Sequence, residues 1–268
     1  MGALPQLPTL EVRGDASSDA EVMVMLAGYP DDFGVWAKLA AHYRSRYGRI
    51  VMACLPDFDD VGNAPGPRRP YLGHTIGAID AALDATIARA TPGKEDRVTL
   101  VVHDWGCFFG YRFIGRHPDK VSKLIAMDVG SAVGAMPPGT HATAFGAEST
   151  MQPYLTAFYQ LFFAFTFVVG KWLSFRAGNA VLGAFIRASL ATGLFDASCA
   201  RPMAKATCWK CAVYYWAWRR GLGGGDMSVP FPTVPTLYLY GAGKNLMLHR
   251  KVWETRVRCA CDQPTLVP

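Results

Sequence analysis

The sequence predicts an α/β fold, a mostly parallel, doubly wound sheet that carries an inserted helical cap. Three observations predict it. Short apolar runs recur along the chain as buried strands. Segments of helical periodicity separate them, and strands alternating with helices argue for a parallel sheet. The alternation then stops between about Val133 and Pro232, where aromatic-rich, helix-like sequence takes over before one more strand.

The elements follow in order. Glu21 to Leu26 (EVMVML) reads as the first buried strand, ending at Ala27-Gly28-Tyr29-Pro30. Gly34 to Tyr47 has apolar residues at helical spacing, with Gly48 as its C-cap. Arg49 to Cys54 is the second strand, and a proline-rich loop follows it. Thr75 to Ala90 is a helix stopped by Thr91-Pro92-Gly93. Arg97 to His103 (RVTLVVH) is the third strand, Gly106 to His117 a helix, and Val121 to Asp128 the fourth strand. Thr236 to Tyr240 is the fifth, with a helix expected from about Leu246 to Arg256. Residues 1–132 and 233–268 then form the α/β core, and 133–232 the cap.

Bulk properties narrow the function. A chain of 268 residues suits one α/β domain with an insertion. Apolar residues make up 51% and charged residues 18%, which argues for a large core and against global disorder. The net charge of +6 forms no basic stripe of the kind nucleic acid requires. Met1 to Glu11 is proline-rich and lacks the charged and apolar regions of a secretory leader, so reduced thiols in a cytosol-like compartment are expected for the seven cysteines. Cys208, Cys211, Cys259 and Cys261 could be arranged as four zinc ligands, but the spacing of the second pair is poor, and no metal or cofactor is expected. Tyr154 to Gly170 is unusually apolar yet falls short of the roughly 20 residues of a spanning helix. It reads as a buried or surface-seeking cap helix, with membrane association through 154–170 left open.

The chemistry concentrates at His103-Asp104-Trp105-Gly106. A reactive residue on a tight strand-to-helix turn needs small neighbours two positions before and after, because the backbone crowds there. Gly106 satisfies this and Val102 departs from it. A carboxylate at such a turn can attack saturated carbon and form an ester that water cleaves. The start of the following helix favours its ionised form. The alternative for Asp104 is a plain helix N-cap.

The run LVVHDWGCFFGYRFIGRHPDKVSKLIAMD resembles the elbow region of α/β-hydrolases of the epoxide hydrolase and haloalkane dehalogenase group. Their HDWG-type motif is matched from His103 to Gly106, and their H-G-x-P motif stands as Ala27-Gly28-Tyr29-Pro30, with alanine in place of histidine. The resemblance spans roughly Glu21 to Trp253, strongest at 21–60 and 97–130. It implies an α/β-hydrolase fold with Asp104 as nucleophile. Oxyanion donors are implied at the backbone N–H groups of Tyr29 and Trp105. An aromatic residue at 29 is similar to epoxide hydrolases, where dehalogenases usually carry asparagine.

The resemblance also implies cap tyrosines that donate to the substrate oxygen. Tyr154, Tyr159, Tyr214 and Tyr215 are candidates, with Tyr154 and Tyr215 preferred. Asp128, after the fourth strand, is the candidate acid that orients a histidine. No histidine stands where the family places its base. His249 comes too early, His103 is expected to point away along its strand, and the tail TRVRCACDQPTLVP offers neither the last strand nor its histidine. Two expectations compete. Either the chain is truncated, its C-terminal strand and helix missing, or it is a degenerate hydrolase. The expected function is a cofactor-free hydrolase with an aspartate nucleophile and a small apolar substrate. The alternatives are a dehalogenase-like or other hydrolase, and a catalytically silent binding or membrane-associated protein.

Overall fold

The computed structural model describes residues 5–17, 21–59, 72–93, 96–130, 152–241 and 253. Six strands form one sheet: β1 (Thr9–Arg13), β2 (Val22–Leu26), β3 (Arg49–Ala53), β4 (Val98–His103), β5 (Val121–Met127) and β6 (Thr236–Leu239). Their order across the sheet is β1-β3-β2-β4-β5-β6. All neighbours run parallel except β1, which pairs antiparallel with β3, Thr9 opposite Ala53 and Arg13 opposite Arg49. The central strands are apolar almost throughout because helices cover both faces, Arg49, Thr99 and His103 being the exceptions. β1 is an addition to the strands that the sequence predicts. Most of its side chains are exposed, so it carries no buried run, and edge pairing alone makes it a strand.

The helices on the sheet are α1 (Ala37–Tyr43), α2 (Ile76–Ala90) and α3 (Trp105–Arg116). α2 starts where the Thr75 hydroxyl accepts from the Ala78 amide at 3.2 Å. It ends at Thr91, before Pro92. α2 and α3 are tied by a buried ion pair. Arg112 donates from Nε and Nη2 to Asp80, 2.9 Å at the shorter contact with Oδ2, and Arg116 reaches the same carboxylate at 3.4 Å. Removing one partner of a buried pair leaves an uncompensated charge. Arg112→Met is therefore expected to destabilise the protein by about 2 kcal/mol, at the low side for such pairs because Arg116 remains. Urea unfolding measures it.

Between β5 and β6 lie α4 (Gln152–Trp172), α5 (Phe175–Ala191), a one-turn helix (Ala200–Met203) and α6 (Ala212–Leu222). No strand occurs among the described residues of this stretch, and residues 131–151 lie outside them. α4 packs against both α5 and α6. Two glycines permit close approach where α4 and α5 meet. A Cβ on Gly178 would sit 2.7 Å from both the Gly170 Cα and the Cys208 sulfur. The helix expected at 246–256 lies outside the described residues except for Trp253, which is helical and buried. Trp253 packs on Tyr111, Phe231 and Tyr238 with ring centroids 5.0, 5.1 and 5.9 Å away. His249 and the C-terminal tail, Cys259 and Cys261 included, also lie outside the described residues.

Candidate active site

In an open parallel sheet, side chains gather beyond the carboxyl ends of the strands. Here β2 leads into Gly28-Tyr29, β4 into Asp104 and β5 into Asp128. The pairing of Leu26 with Val102, and of Val102 with Ala126, brings all three strand ends side by side.

Asp104 has φ 54° and ψ −123°, a backbone conformation that non-glycine residues avoid. Such a residue costs on the order of 1–3 kcal/mol and persists where its surroundings enforce it. Asp104 stands at the N-cap position of α3, but its side chain makes no capping hydrogen bond there. Its Oδ1 instead accepts the Tyr29 amide at 2.7 Å. Gly106 must be small, since a Cβ there would lie 2.3 Å from the Leu26 carbonyl oxygen. Val102 is accommodated one helical turn further on, where a Cβ on Gly110 would meet Val102 Cγ1 at 2.8 Å. The space that a small residue would have left at 102 is supplied by glycine at 110.

Electrostatics single out the same residues. Burial pushes the Asp104 carboxyl above the ordinary carboxylate range, and the charge of Asp31 adds to this. The His103 imidazole and the Trp105 and Tyr29 amides work in the opposite direction without cancelling it. The helix start therefore moderates the desolvation of Asp104 but does not overcome it. The structure corrects the expectation that His103 points away from the site. Its Nε2 lies 3.1 Å from Asp128 Oδ2. Burial alone would lower the His103 pKa, but the hydrogen bond to Asp128 and the charges of Asp104, Asp128 and Asp31 raise it above its ordinary value. Asp128 thus pairs with a histidine, and that histidine is the neighbour of Asp104. The positive φ at Asp104 ends the strand alternation on which the other direction rests.

The structure places the two preferred cap tyrosines, Tyr154 and Tyr215, elsewhere than beside Tyr29 and Trp105. Tyr154 is 71% exposed on the outside of α4. Tyr215 turns its ring to Phe167 and its hydroxyl to Arg219 Nη1 at 3.1 Å. Their neighbours Tyr159 and Tyr214 are the buried pair within the field of Asp104, and burial, followed by that charge, raises the pKa of both. The reason is helical geometry. Five residues turn a helix by about 140° relative to the start, and one residue by about 100°. Tyr214 packs on Trp105 and on Tyr29, each with ring centroids 5.2 Å apart, and the Trp105 side chain hydrogen-bonds its hydroxyl. Tyr159 and Phe163 complete an aromatic wall, and Phe163 lies 5.1 Å from the Tyr29 ring.

The cap also grips the loop that bears the Tyr29 amide. Lys205 Nζ meets Asp32 at 2.7 Å, Lys210 Nζ donates to the Pro30 carbonyl at 3.1 Å, and the Tyr29 hydroxyl lies 3.4 Å from the Cys211 sulfur. Lys210 is almost fully buried and stands over the Phe58 ring. Nothing in the local sequence marks it, since a lysine in a cap reads as surface. Among the described residues no cluster of three or more His, Cys, Asp or Glu side chains could hold a metal ion.

A family described as alpha/beta hydrolase fold matches residues 21–256. The chain is 30% identical over 129 residues to a cis-3-alkyl-4-alkyloxetan-2-one decarboxylase of Xanthomonas campestris pv. campestris, covering 46% of this chain and 40% of that protein. It is 30% identical over 120 residues to a haloalkane dehalogenase of Mycolicibacterium smegmatis, covering 44% of this chain and 34% of the relative. The matched stretch thus spans less than half the length of either relative. Among solved structures, an epoxide hydrolase of Bacillus megaterium in complex with an inhibitor superposes with a TM-score of 0.51 at 18% identity, over 88% of this chain and 79% of that one. That likeness concerns the fold.

Proposed function

We propose, from the premise that the chain belongs to the alpha/beta hydrolase fold family, that it opens the three-membered ring of a small apolar epoxide with the carboxylate of Asp104. One observation carries the reading. Asp104, strained onto a strand-to-helix turn and held by the Tyr29 amide, lies in the field of two buried tyrosines, Tyr159 and Tyr214.

In the reaction, one Asp104 carboxylate oxygen attacks a ring carbon from the side opposite the ring oxygen. The carbon–oxygen bond of the ring breaks, and its electron pair stays on the oxygen, which takes a proton from Tyr159 or Tyr214. The product is an ester of Asp104 with a free neighbouring hydroxyl. Both tyrosines have pKa values raised by burial, so they remain protonated donors across the neutral range. Trp105 occupies one side of the Tyr214 oxygen and leaves its proton for another acceptor. Water then attacks the ester carbonyl carbon, the acyl carbon–oxygen bond breaks, and the diol leaves with one of the water's protons while the other returns to the tyrosinate left by ring opening, which restores the Asp104 carboxylate. The developing oxyanion meets the Tyr29 and Trp105 amides that already face this carboxylate. Ester formation also discharges Asp104 and so removes one cause of the raised His103 pKa. The His103–Asp128 pair is in this way the proton-responsive element beside the ester.

A haloalkane would meet the same carboxylate. A departing halide needs no proton, however, and two tyrosine hydroxyls suit a leaving oxygen that does. Aromatic walls from Tyr29, Phe163 and Trp105 favour an apolar substrate.

The test is turnover of styrene oxide in water enriched in oxygen-18, followed by mass analysis of the peptide containing Asp104. The reading expects either the alkyl ester or label in the Asp104 carboxylate. Diol formed without either would assign the attack to water directly, and a bromoalkane that releases bromide while styrene oxide stays intact would favour dehalogenation. Tyr159→Phe and Tyr214→Phe are each expected to slow alkylation of Asp104 by about 10²-fold, with the double variant slower than either. Single-turnover quench experiments measure it.

A further inference from the structure

The side of α4 that bears Tyr159 and Phe163 is buried, while the opposite side carries a continuous exposed apolar stripe. Tyr154, Phe158, Leu161 and Phe165 are 71, 53, 46 and 52% exposed, and Trp172 and Leu173 at the helix end are 75 and 76% exposed. Steps of three, four and seven residues keep α4's exposed side chains along one flank. A contiguous exposed apolar stripe of this kind marks an interaction surface.

Two observations identify the occupant. The segment Tyr154–Trp172, with a mean hydropathy of 1.2, is long and apolar enough to cross a bilayer by composition. Its inner side, however, is committed to protein. Phe163 and Phe167 are fully buried, and Phe163 packs on Tyr29 and Tyr214. A spanning helix would have to strip that side, whereas a helix lying in the interface keeps it and buries only the stripe. Charge supplies the second observation. Residues 133–232 carry eight basic side chains against three acidic ones, Glu148, Asp196 and Asp226, although the whole chain carries 27 basic and 21 acidic residues. The charge excess is thus concentrated on the cap. Lys210 is buried and Lys205 pairs with Asp32, but Arg176, Arg187 and Arg219 are exposed, and Lys171 stands beside the Trp172 ring. An exposed apolar stripe on a cap with a basic excess matches an anionic lipid surface. A second copy of the chain would instead press two basic caps together.

We propose that the outer side of α4, with Trp172 and Leu173, docks the cap onto an anionic bilayer surface, lying in the interface without crossing it. This rests on the helix surface alone and is independent of the chemistry assigned to Asp104.

The experiment is flotation of the full 268-residue chain with vesicles of phosphatidylcholine alone or with about 30% phosphatidylglycerol. The wild-type chain is expected to float with the anionic vesicles, on the order of 10-fold more weakly with the neutral ones, and to be released by alkaline carbonate. The variant Phe158→Ser/Phe165→Ser/Trp172→Ser is expected to lose binding on the order of 10-fold while its circular dichroism spectrum remains that of the folded chain, since half or more of each side chain is exposed. A dye on Leu173→Cys is expected to shift to the blue on adding anionic vesicles. Absence of flotation, equal flotation of the triple variant, or resistance to carbonate each overturns the proposal. A sedimentation dimer that the triple variant abolishes, without vesicle binding, assigns the stripe to a second copy and overturns it as well.

Discussion

Asp104→Asn is expected to abolish ester formation and to make the protein more stable. The amide is no nucleophile, and loss of a catalytic nucleophile costs at least about 10³-fold in rate. Alkylation or oxygen-18 labelling at position 104 should vanish with it. The stability gain follows from linkage. The folded-state pKa of Asp104 is raised, chiefly by burial, above its unfolded value. A raised folded pKa favours the fold at low pH, and that contribution is lost as pH rises through the folded value. At neutral pH the ionised, desolvated carboxylate is therefore a burden. The substitution removes that charge and keeps an amide oxygen to accept the Tyr29 N–H. We expect about 1 kcal/mol, or ~2–4 °C in Tm, at pH 7. The gain should shrink to nothing below the unfolded carboxyl pKa, where both states hold the proton. Scanning calorimetry at neutral and acid pH measures both arms. The same shift sets the acid limb of activity, which should fall at a pH above the ordinary carboxylate range, because only ionised Asp104 attacks. A variant less stable at pH 7 would overturn the account of Asp104 as a desolvated charge.

Gly28→Ala is expected to produce the largest loss of activity from any single methyl. The added Cβ would stand 2.4 Å from the Trp105 nitrogen, 2.5 Å from Asp104 Oδ1 and 2.7 Å from the Asp104 Cβ. None of these moves aside freely, since one is backbone and the Asp104 carboxylate is held by the Tyr29 amide. They are the two oxyanion donors' scaffold and the carboxylate itself, so the β2 loop must withdraw from the turn after β4. The Tyr29 amide withdraws with it. Loss of one such donor costs about 10²–10³-fold in kcat. Overpacking adds about 1–3 kcal/mol of destabilisation. Rates of Asp104 alkylation, beside urea unfolding of the same variant, separate the two. An alanine variant with wild-type rate would show that the donors are not where catalysis needs them.

The parallel strands are legible in the sequence because buried strands of such a sheet are apolar throughout and need no partner to be recognised. β1 is illegible for the converse reason, as Thr9–Arg13 exposes most of its side chains and is defined by pairing with β3. Asp104 stands out through its motif, and Val102 looks like a defect in it. The compensating glycine at 110 sits eight residues away, where only the packing of α3 on β4 connects the two. On α4, periodicity offers two apolar stripes, one through Tyr159 and Phe163 and one through Phe158 and Phe165. Hydrophobicity does not say which turns inward, and a preference for Tyr154 over Tyr159 follows the exposed stripe. The burial of Lys210 and the pairing of His103 with Asp128 are tertiary facts that no local pattern encodes.

The hold of the cap on the loop after β2 has a consequence for how the molecule breathes. Lys205, Lys210 and Cys211 all contact residues 29–32, and the Tyr29 amide is the one bonded to Asp104. Partial melting of α6 and the segment before it would loosen that amide before the sheet itself gave way. Hydrogen exchange at the Tyr29 N–H therefore reports the opening of the cap, although the proton belongs to a loop of the core. A population too small to see by any structural method would be counted, proton by proton, at the peptide group that faces the nucleophile.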